Sequence, residues 1–468
     1  MQGRCDAMKV LGLDFGTTSF GACLYDSEMT TSLFASKKSR SLIINGLRRE
    51  FDIQKVICDL HSFIKYLGTI FDLEKVEALA VTGNMHSFFL VKDDQIITNI
   101  ITWEDKRALE EYMKGVSYSD YINSNYKHLF SRFQYSVVPG YAVTTLLNLS
   151  KYLNLEGCSI HFAPDFIVKE LLGNTIPYIS IPTDYSLAHS SGLYLLENKR
   201  WNYELINALG YNKIYFPKIA EPCTFIGTVG SHIRQLSGIP IYLGMGDNQA
   251  SVLGALSYEK KCNRLKSLFS TLIISIGTSG QVSVVAREME NVSKLLDYRP
   301  FFSENYLLVG ASLSGGKTMD TIKDFIKGIV NFICDKTLTE SQVYEFIKSS
   351  VSLDSPLKFR TTLEGTRCDP KVRGSISNIN STNFTIQNLV TAAAYGIVEE
   401  LHEYYEEMNI ECENILGVGN GLQKNPFFID IIKKMFKKDF HFSDLKEAAS
   451  FGAAICALVG KSKGGLFL

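Results

Sequence analysis

Apolar residues in this chain fall into short continuous runs that alternate with longer segments of helical period. The first run, Lys9-Val10-Leu11-Gly12-Leu13-Asp14, predicts a buried strand. Gly16-Thr17-Thr18-Ser19 is turn chemistry, and Phe20-Gly21-Ala22-Cys23-Leu24-Tyr25 predicts the returning strand. Residues 51–68 carry apolar positions at helical spacing, and 76–82 revert to a strand pattern. Much later the opening pattern recurs: Leu272-Ile273-Ile274-Ser275-Ile276, then Gly277-Thr278-Ser279-Gly280, then Gln281-Val282-Ser283-Val284-Val285. Beyond it, 306–309 and 415–418 read as strands, and 321–332, 391–408, 426–438 and 447–459 as helices. Alternating strands and helices predict α/β domains with buried sheets. The repeated strand–Gly-Thr-Thr/Ser–strand hairpin predicts two related domains, each contributing one hairpin. The charged stretch 256–266 marks the boundary, which gives domains 1–256 and 257–468.

Length and composition agree with this division. At ~150 residues per domain, 468 residues make two large domains or three ordinary ones. With 46% hydrophobic and 21% charged residues the chain has the makeup of a globular protein. The 48 basic residues balance 49 acidic ones, so no field favours nucleic acid or an anionic membrane surface. Ten cysteines stand singly, without the spacing of a zinc ribbon or a redox pair, and fit reduced thiols. No apolar run approaches the ~18 residues of a membrane span, and the opening residues lack a signal-peptide core. A cytoplasmic enzyme, monomeric or homodimeric, with small-molecule partners is the expectation.

Candidate chemistry gathers at the glycine turns. In Asp14-Phe15-Gly16-Thr17-Thr18, the glycine lets backbone N–H groups approach an anion and the hydroxyls add donors. Asp14 would repel phosphate unless a cation such as Mg²⁺ lay between them. The same residues also suit an ordinary hairpin with an Asp at its base. Gly417-Val418-Gly419-Asn420-Gly421, with Asn425 beyond, follows a strand and suits a nucleotide resting on backbone. Ala311-Ser312-Leu313-Ser314-Gly315-Gly316-Lys317-Thr318 is one residue short of a P-loop but has no metal-binding Asp at a later strand end, so a nucleotide-facing Gly315-Gly316 turn is preferred. On the acceptor side, Gly246-Asp247-Asn248 follows an apolar run and offers a carboxylate able to take a hydroxyl proton, or merely to cap a helix. Asn84, His86, Trp103, Asp105 and Arg107 are the polar and flat groups that polyol recognition uses, although His86 also suits a satisfied core position and Asp105 with Arg107 a plain surface pair.

Taken in order, LDFGTTS, GNMH, TWEDKR, GMGDNQAS, SIGTSG, GASLSGG, GVGNGLQKNP and EAASFGAA resemble the FGGY carbohydrate kinases of the actin/hexokinase/Hsp70 ATPase superfamily, over residues 10–459. The resemblance implies two RNase H-like α/β domains (the actin-like ATPase fold) with a catalytic cleft between them, closing on sugar and MgATP. Within the family the sedoheptulokinase branch is the most similar, which implies transfer from ATP to a primary hydroxyl of a ketose, sedoheptulose becoming its 7-phosphate. A xylulokinase-like ketopentose kinase, or a catalytically weakened binding member of the fold, is the alternative. The resemblance makes Asp247 the catalytic base and places Asp14 at the Mg²⁺ site. Gly16, Thr17, Thr18, Gly277, Thr278, Ser279 and Gly316 fall at the ATP phosphates, and Gly419, Gly421 and Asn425 at adenosine. Asn84, His86, Trp103, Asp105, Arg107 and Asn248 fall at the sugar. Three positions depart from the pattern: Gly21 where most members carry Lys or Arg, Thr366 in place of an acid before Arg367, and Asn84 in place of Gln.

Overall fold

The computed structural model describes residues 8–462 apart from 135, 174–175, 266, 278, 292, 334–337, 367–368 and 370. Two compact units emerge, one of residues 1–264, 300–304 and 445–468, the other of 265–299 and 305–444.

The first unit is built on a six-stranded sheet. Strands β1 (Lys9–Phe15), β2 (Ser19–Asp26) and β3 (Thr31–Lys38) form an antiparallel meander, and β4 (Ala78–Gly83) pairs parallel with β1 on its other side. Next comes β6 (Pro240–Gly246), parallel to β4, with β5 (Phe225–Thr228) at the edge. Leu11, Leu13, Phe15, Phe20 and Ala22 are buried in the core beneath the sheet, where helix α1 (Ile53–Ile70) adds Phe63 and Leu67. The rings of Phe15 and Phe20 stack at 5.0 Å, and each fully buried side chain of this kind contributes about 1.5–3 kcal/mol. Asp52 starts α1 by accepting from the Lys55 N–H. The other face of the sheet is covered by α5 (Ala448–Lys461), the last helix described, which packs on β1, β2, β4 and β6 and on α2 (Asp247–Lys261).

The second unit repeats the scheme. Strand β7 (Thr271–Ile276) pairs antiparallel with β8 (Gly280–Ala286), which pairs with β10 (Tyr306–Ser312); β9 (Leu296–Pro300) lies beyond. On the other side β11 (Asn414–Val418) and β12 (Asp439–Phe442) continue in parallel. In both sheets the hairpin strands lie centrally, with an antiparallel strand beside the second of them and two parallel strands beyond the first; the extra edge strand is β5 in one sheet and β9 in the other. The repeated hairpin of the sequence therefore has a repeated topology around it. Helices α3 (Gly315–Ile333) and α4 (Ile386–Met408) pack on each other, and α4 also packs on β8 and β10.

Two expectations change. The stretch 256–266, expected as the boundary, continues α2 to Lys261, and the change of unit falls late within it, between 264 and 265 and not at 256. Its charged composition hides a buried face: Leu256 and Glu259 are fully buried, and Glu259 pairs with Arg264 at 3.5 Å. Nor does one cut describe the units, because the chain re-enters the first one for 300–304 and again from 445 onward.

Candidate active site

Asp14 is the next-to-last residue of β1, facing Gly21 across the antiparallel ladder, and Gly21 in turn faces Ser36 on β3. By strand alternation Gly12 and Asp14 share a face. That face belongs to α5, since a Cβ at Gly12 would lie 1.8 Å from the Ser450 carbonyl oxygen. Asp14 therefore emerges just beside the start of α5, where Glu447 holds a left-handed backbone at φ 50°. A Cβ at Gly21 would come within 2.6 Å of Glu447 Oε2. The place where the resemblance expects a cation thus holds an anion. Burial, then the charges of Asp247 and Glu447, push the Asp14 carboxyl well above the usual carboxylate range. Its Oδ1 is buried without a hydrogen-bond partner. Among the described residues no three His, Cys, Asp or Glu side chains are grouped to hold a metal ion directly. The lone oxygen of Asp14 nevertheless fits a hydrated divalent cation, which binds through one or two carboxylates and keeps its waters.

Asp247 opens α2 directly after β6. Gly246 donates its N–H to Ser186 Oγ at 2.8 Å, and a Cβ there would meet Met85 Cγ at 2.5 Å. Asp247 Oδ1 accepts from the Asn248 N–H at 2.9 Å and the Met85 N–H at 3.4 Å. The base candidate is thereby tied to the loop after β4 that carries His86. A short helix, Tyr185–Ser190, holds both parts: Asp184 caps it, Ser186 takes the Gly246 amide, and Ser190 takes His86. His86 sits at φ 63°, in the left-handed region, which costs a residue with a Cβ of order 1–3 kcal/mol. Ser190 accepts twice from it, Oγ from the backbone N–H and the carbonyl from Nδ1 at 2.7 Å. A carbonyl can only accept, so Nδ1 carries a proton, and in the neutral tautomer so fixed Nε2 is the acceptor nitrogen. The imidazole stacks on Tyr141 at 4.4 Å between centroids.

Trp103 is half exposed, and its Nε1–H donates to Thr17 Oγ1 at 3.3 Å. Gly140, at φ 91°, allows the Tyr141 segment to touch this loop, because a Cβ there would lie 2.2 Å from the Trp103 carbonyl oxygen. Asp105 and Arg107 take a different part from the one the sequence suggests. Both are buried and committed to each other, Arg107 Nε and Nη2 donating to the two Asp105 oxygens at 2.8 and 2.9 Å. The Arg49 N–H also donates to Asp105, and Glu50 pairs with Arg107. The pair shapes the loop that presents Trp103 and has no open face for a sugar. Arg107→Met should therefore cost about 3–5 kcal/mol by leaving the Asp105 charge buried and unpaired, read as a fall in the urea midpoint. Asn84 is likewise buried, donating Nδ2–H to the Phe15 carbonyl and accepting from Thr17.

Each glycine hairpin is closed by its glycine N–H, but with a different span: Gly16 donates to Ser19 O, three residues on, at 3.0 Å, and Gly277 to Ser279 O, two residues on, at 2.8 Å. Thr18 is exposed at the tip of the first. Thr278 and Arg367 lie outside the described residues. Gly315 and Gly316 form the first turn of α3, and no separate turn exists there. A Cβ at Gly315 would lie 2.3 Å from Ser279 C, and the Gly316 N–H donates to Gly277 O, so this helix start buttresses the second hairpin. Lys317 pairs with Glu364 at 2.7 Å on the surface, unlike a P-loop lysine. Gly419, at φ 93°, and Gly421 lie against the end of β7, and Asn425 Nδ2 donates to Gly421 O. Tyr141, Ser186 and Ser190 carried no signal in the sequence, and Glu447 only that of a helix start, because their parts depend on contacts remote along the chain.

Comparison with known proteins agrees with this geometry. The human sedoheptulokinase is 26% identical over 96% of this chain and 97% of that protein. A xylulose kinase of Staphylococcus epidermidis is 24% identical over 96% and 88% respectively. The solved structure of a ligand-bound xylulose kinase from Lactobacillus acidophilus superimposes with a TM-score of 0.80, at 21% identity, covering 98% of this chain and 91% of that one. Models of the N-terminal and C-terminal domains of the FGGY family match residues 9–254 and 272–460. A duplicated α/β topology, a carboxylate at a helix start beside a histidine loop, and two glycine hairpins thus belong to a sugar kinase: the chain is a member of the FGGY family of carbohydrate kinases.

Proposed function

We propose that this kinase transfers the terminal phosphoryl group of ATP to a primary hydroxyl of a ketose, sedoheptulose foremost, giving the 7-phosphate. The observation that carries the reading is Asp247, held at the start of α2 by the same loop that presents His86. Phosphoryl transfer needs positioning, charge neutralisation and a base within reach of the hydroxyl proton. Asp247 would take that proton, His86 Nε2 would accept from a neighbouring hydroxyl, and Trp103 would cover an apolar face of the sugar. Asn248 would lie beside the base, and Asp105 and Arg107 would act through the loop they stiffen. Amides of the hairpins around Gly16 and Gly277, with the Thr18 hydroxyl, would hold phosphates, and the Gly419–Gly421 segment the nucleoside. Mg²⁺, when bound, would neutralise phosphate charge, with Asp14 as its protein anchor. The similarity to sedoheptulokinases and xylulose kinases supports a ketose over other polyols. Among the described residues no helix is long and apolar enough to cross a membrane, and the seven described cysteines are free thiols, which supports a cytoplasmic setting.

The test is ADP release measured with sedoheptulose, xylulose, ribulose, gluconate and glycerol. Sedoheptulose is expected to give the highest kcat/KM. A preference for xylulose moves the assignment to ketopentoses, and no ketose-stimulated turnover overturns it. Glu447 over Gly21 favours one second reading, a weakened kinase that binds its ligands and turns over slowly. That reading predicts sugar binding without ketose-stimulated ADP release.

A further inference from the structure

The Thr17 hydroxyl has neighbours that fix its direction. Asn84 Nδ2 donates to the Phe15 carbonyl at 2.7 Å, and a carbonyl only accepts, so the Asn84 amide cannot be flipped. Asn84 Oδ1 therefore faces Thr17, and the single Thr17 proton goes to it at 2.7 Å. Indole Nε1–H is a donor only, so Thr17 Oγ1 accepts from Trp103. A one-way chain results: Trp103 to Thr17 to Asn84 to Phe15. It joins the exposed indole, the first phosphate hairpin and the end of β1, whose next residue inward is Asp14. With its proton placed on Asn84, this hydroxyl has none to give a phosphate, although the Gly-Thr-Thr pattern suggested that it would.

We propose that Thr17 is a positioning residue whose hydroxyl couples nucleotide phosphate at the first hairpin to the sugar-side wall of Trp103. The proposal rests on the site placement given above but not on the identity of the sugar. A phosphate settling on the hairpin amides shifts the Thr17 backbone, and the hydrogen-bond chain carries that shift to the indole, changing how tightly a sugar is held. Such chains polarise and order together, so loss of the middle member uncouples both ends.

The experiment uses the full chain labelled with ¹⁵N at its two tryptophans, which give two indole cross-peaks. The Trp201 indole, buried and bonded to the Pro217 carbonyl, serves as the internal reference. Adding Mg²⁺ with a non-hydrolysable ATP analogue, without sugar, is expected to move the Trp103 peak and leave that of Trp201 in place. In Thr17→Val the analogue still binds by calorimetry but the Trp103 peak stays still; Thr17→Ser restores the response. An unchanged Trp201 peak shows that each variant is folded. In the wild type the analogue should also tighten sedoheptulose binding at least about fivefold, a coupling absent from Thr17→Val. A bound analogue that leaves the wild-type Trp103 peak unmoved overturns the proposal, as does a Thr17→Val protein that responds like wild type. Failure of sedoheptulose to bind, with the Trp103 response intact, counts against the ketose assignment alone.

Discussion

Asp247→Asn is expected to lower kcat by about 10³, within the ~10²–10⁴ that a positioned general base supplies. The substitution is nearly isosteric. Asn can still accept from the Met85 and Asn248 amides that hold Asp247 Oδ1 at 3.4 and 2.9 Å, so the loop carrying His86 keeps its place. What is lost is the capacity to take a proton from the acceptor hydroxyl. Nucleotide affinity should hold or improve, because the substitution removes one of the two negative charges that press on Asp14. ADP release and calorimetry on the same preparation separate these effects. Near-wild-type turnover would remove Asp247 from the role of base, and loss of nucleotide binding would recast it as a structural residue.

Gly452→Val carries the largest expected effect on stability. Helices α2 and α5 cross with their backbones in contact: a Cβ at Gly452 would lie 1.9 Å from the Ala250 carbonyl oxygen, and one at Gly254 2.2 Å from that of Ala448. Neither neighbour is the movable end of a side chain, so the helices would have to separate. Separation uncovers the face of the central sheet where Gly12 lies under Ser450. Overpacking ordinarily costs about 1–3 kcal/mol, and losses above ~4 are the mark of a backbone clash in a core. We expect a loss above about 4 kcal/mol, seen as little soluble protein or a steep fall in the denaturation midpoint. The same change at Gly328, which has nothing within 4 Å of an added Cβ, is the control. A midpoint equal to that of the control would show that the crossing is looser than described.

Much of this was legible in the sequence because it depends on local pattern. The hairpin strands announce themselves by apolar runs around Gly-Thr turns, and the helices at 53–70 and 386–408 by their period. Repetition of the hairpin pointed to the repeated arrangement of strands around it. Side-chain roles were less legible where they hang on distant partners. Asp105 and Arg107 look like sugar ligands in a string of polar residues, yet Arg49 and Glu50, over fifty positions away, help to enclose them. Glu447 reads as the first residue of the helix 447–459 until the sheet places Gly21 beside its carboxylate. The run of charges at 256–266 put the boundary at 256 because composition does not reveal that Leu256 and Glu259 face inward on a helix that runs to Lys261.

The placement of α5 bears on how the chain is made. Its partner β1 is complete at residue 15, yet the helix that covers it begins at 448, after the whole second unit. At ~5–20 residues per second of synthesis, the first sheet waits tens of seconds for its cover. Throughout that interval Gly12 and its neighbours present a bare groove to solvent, chaperones and proteases. A nascent chain halted within the second unit is thus a kinase whose first unit cannot close, so commitment to the fold comes only with the last helix.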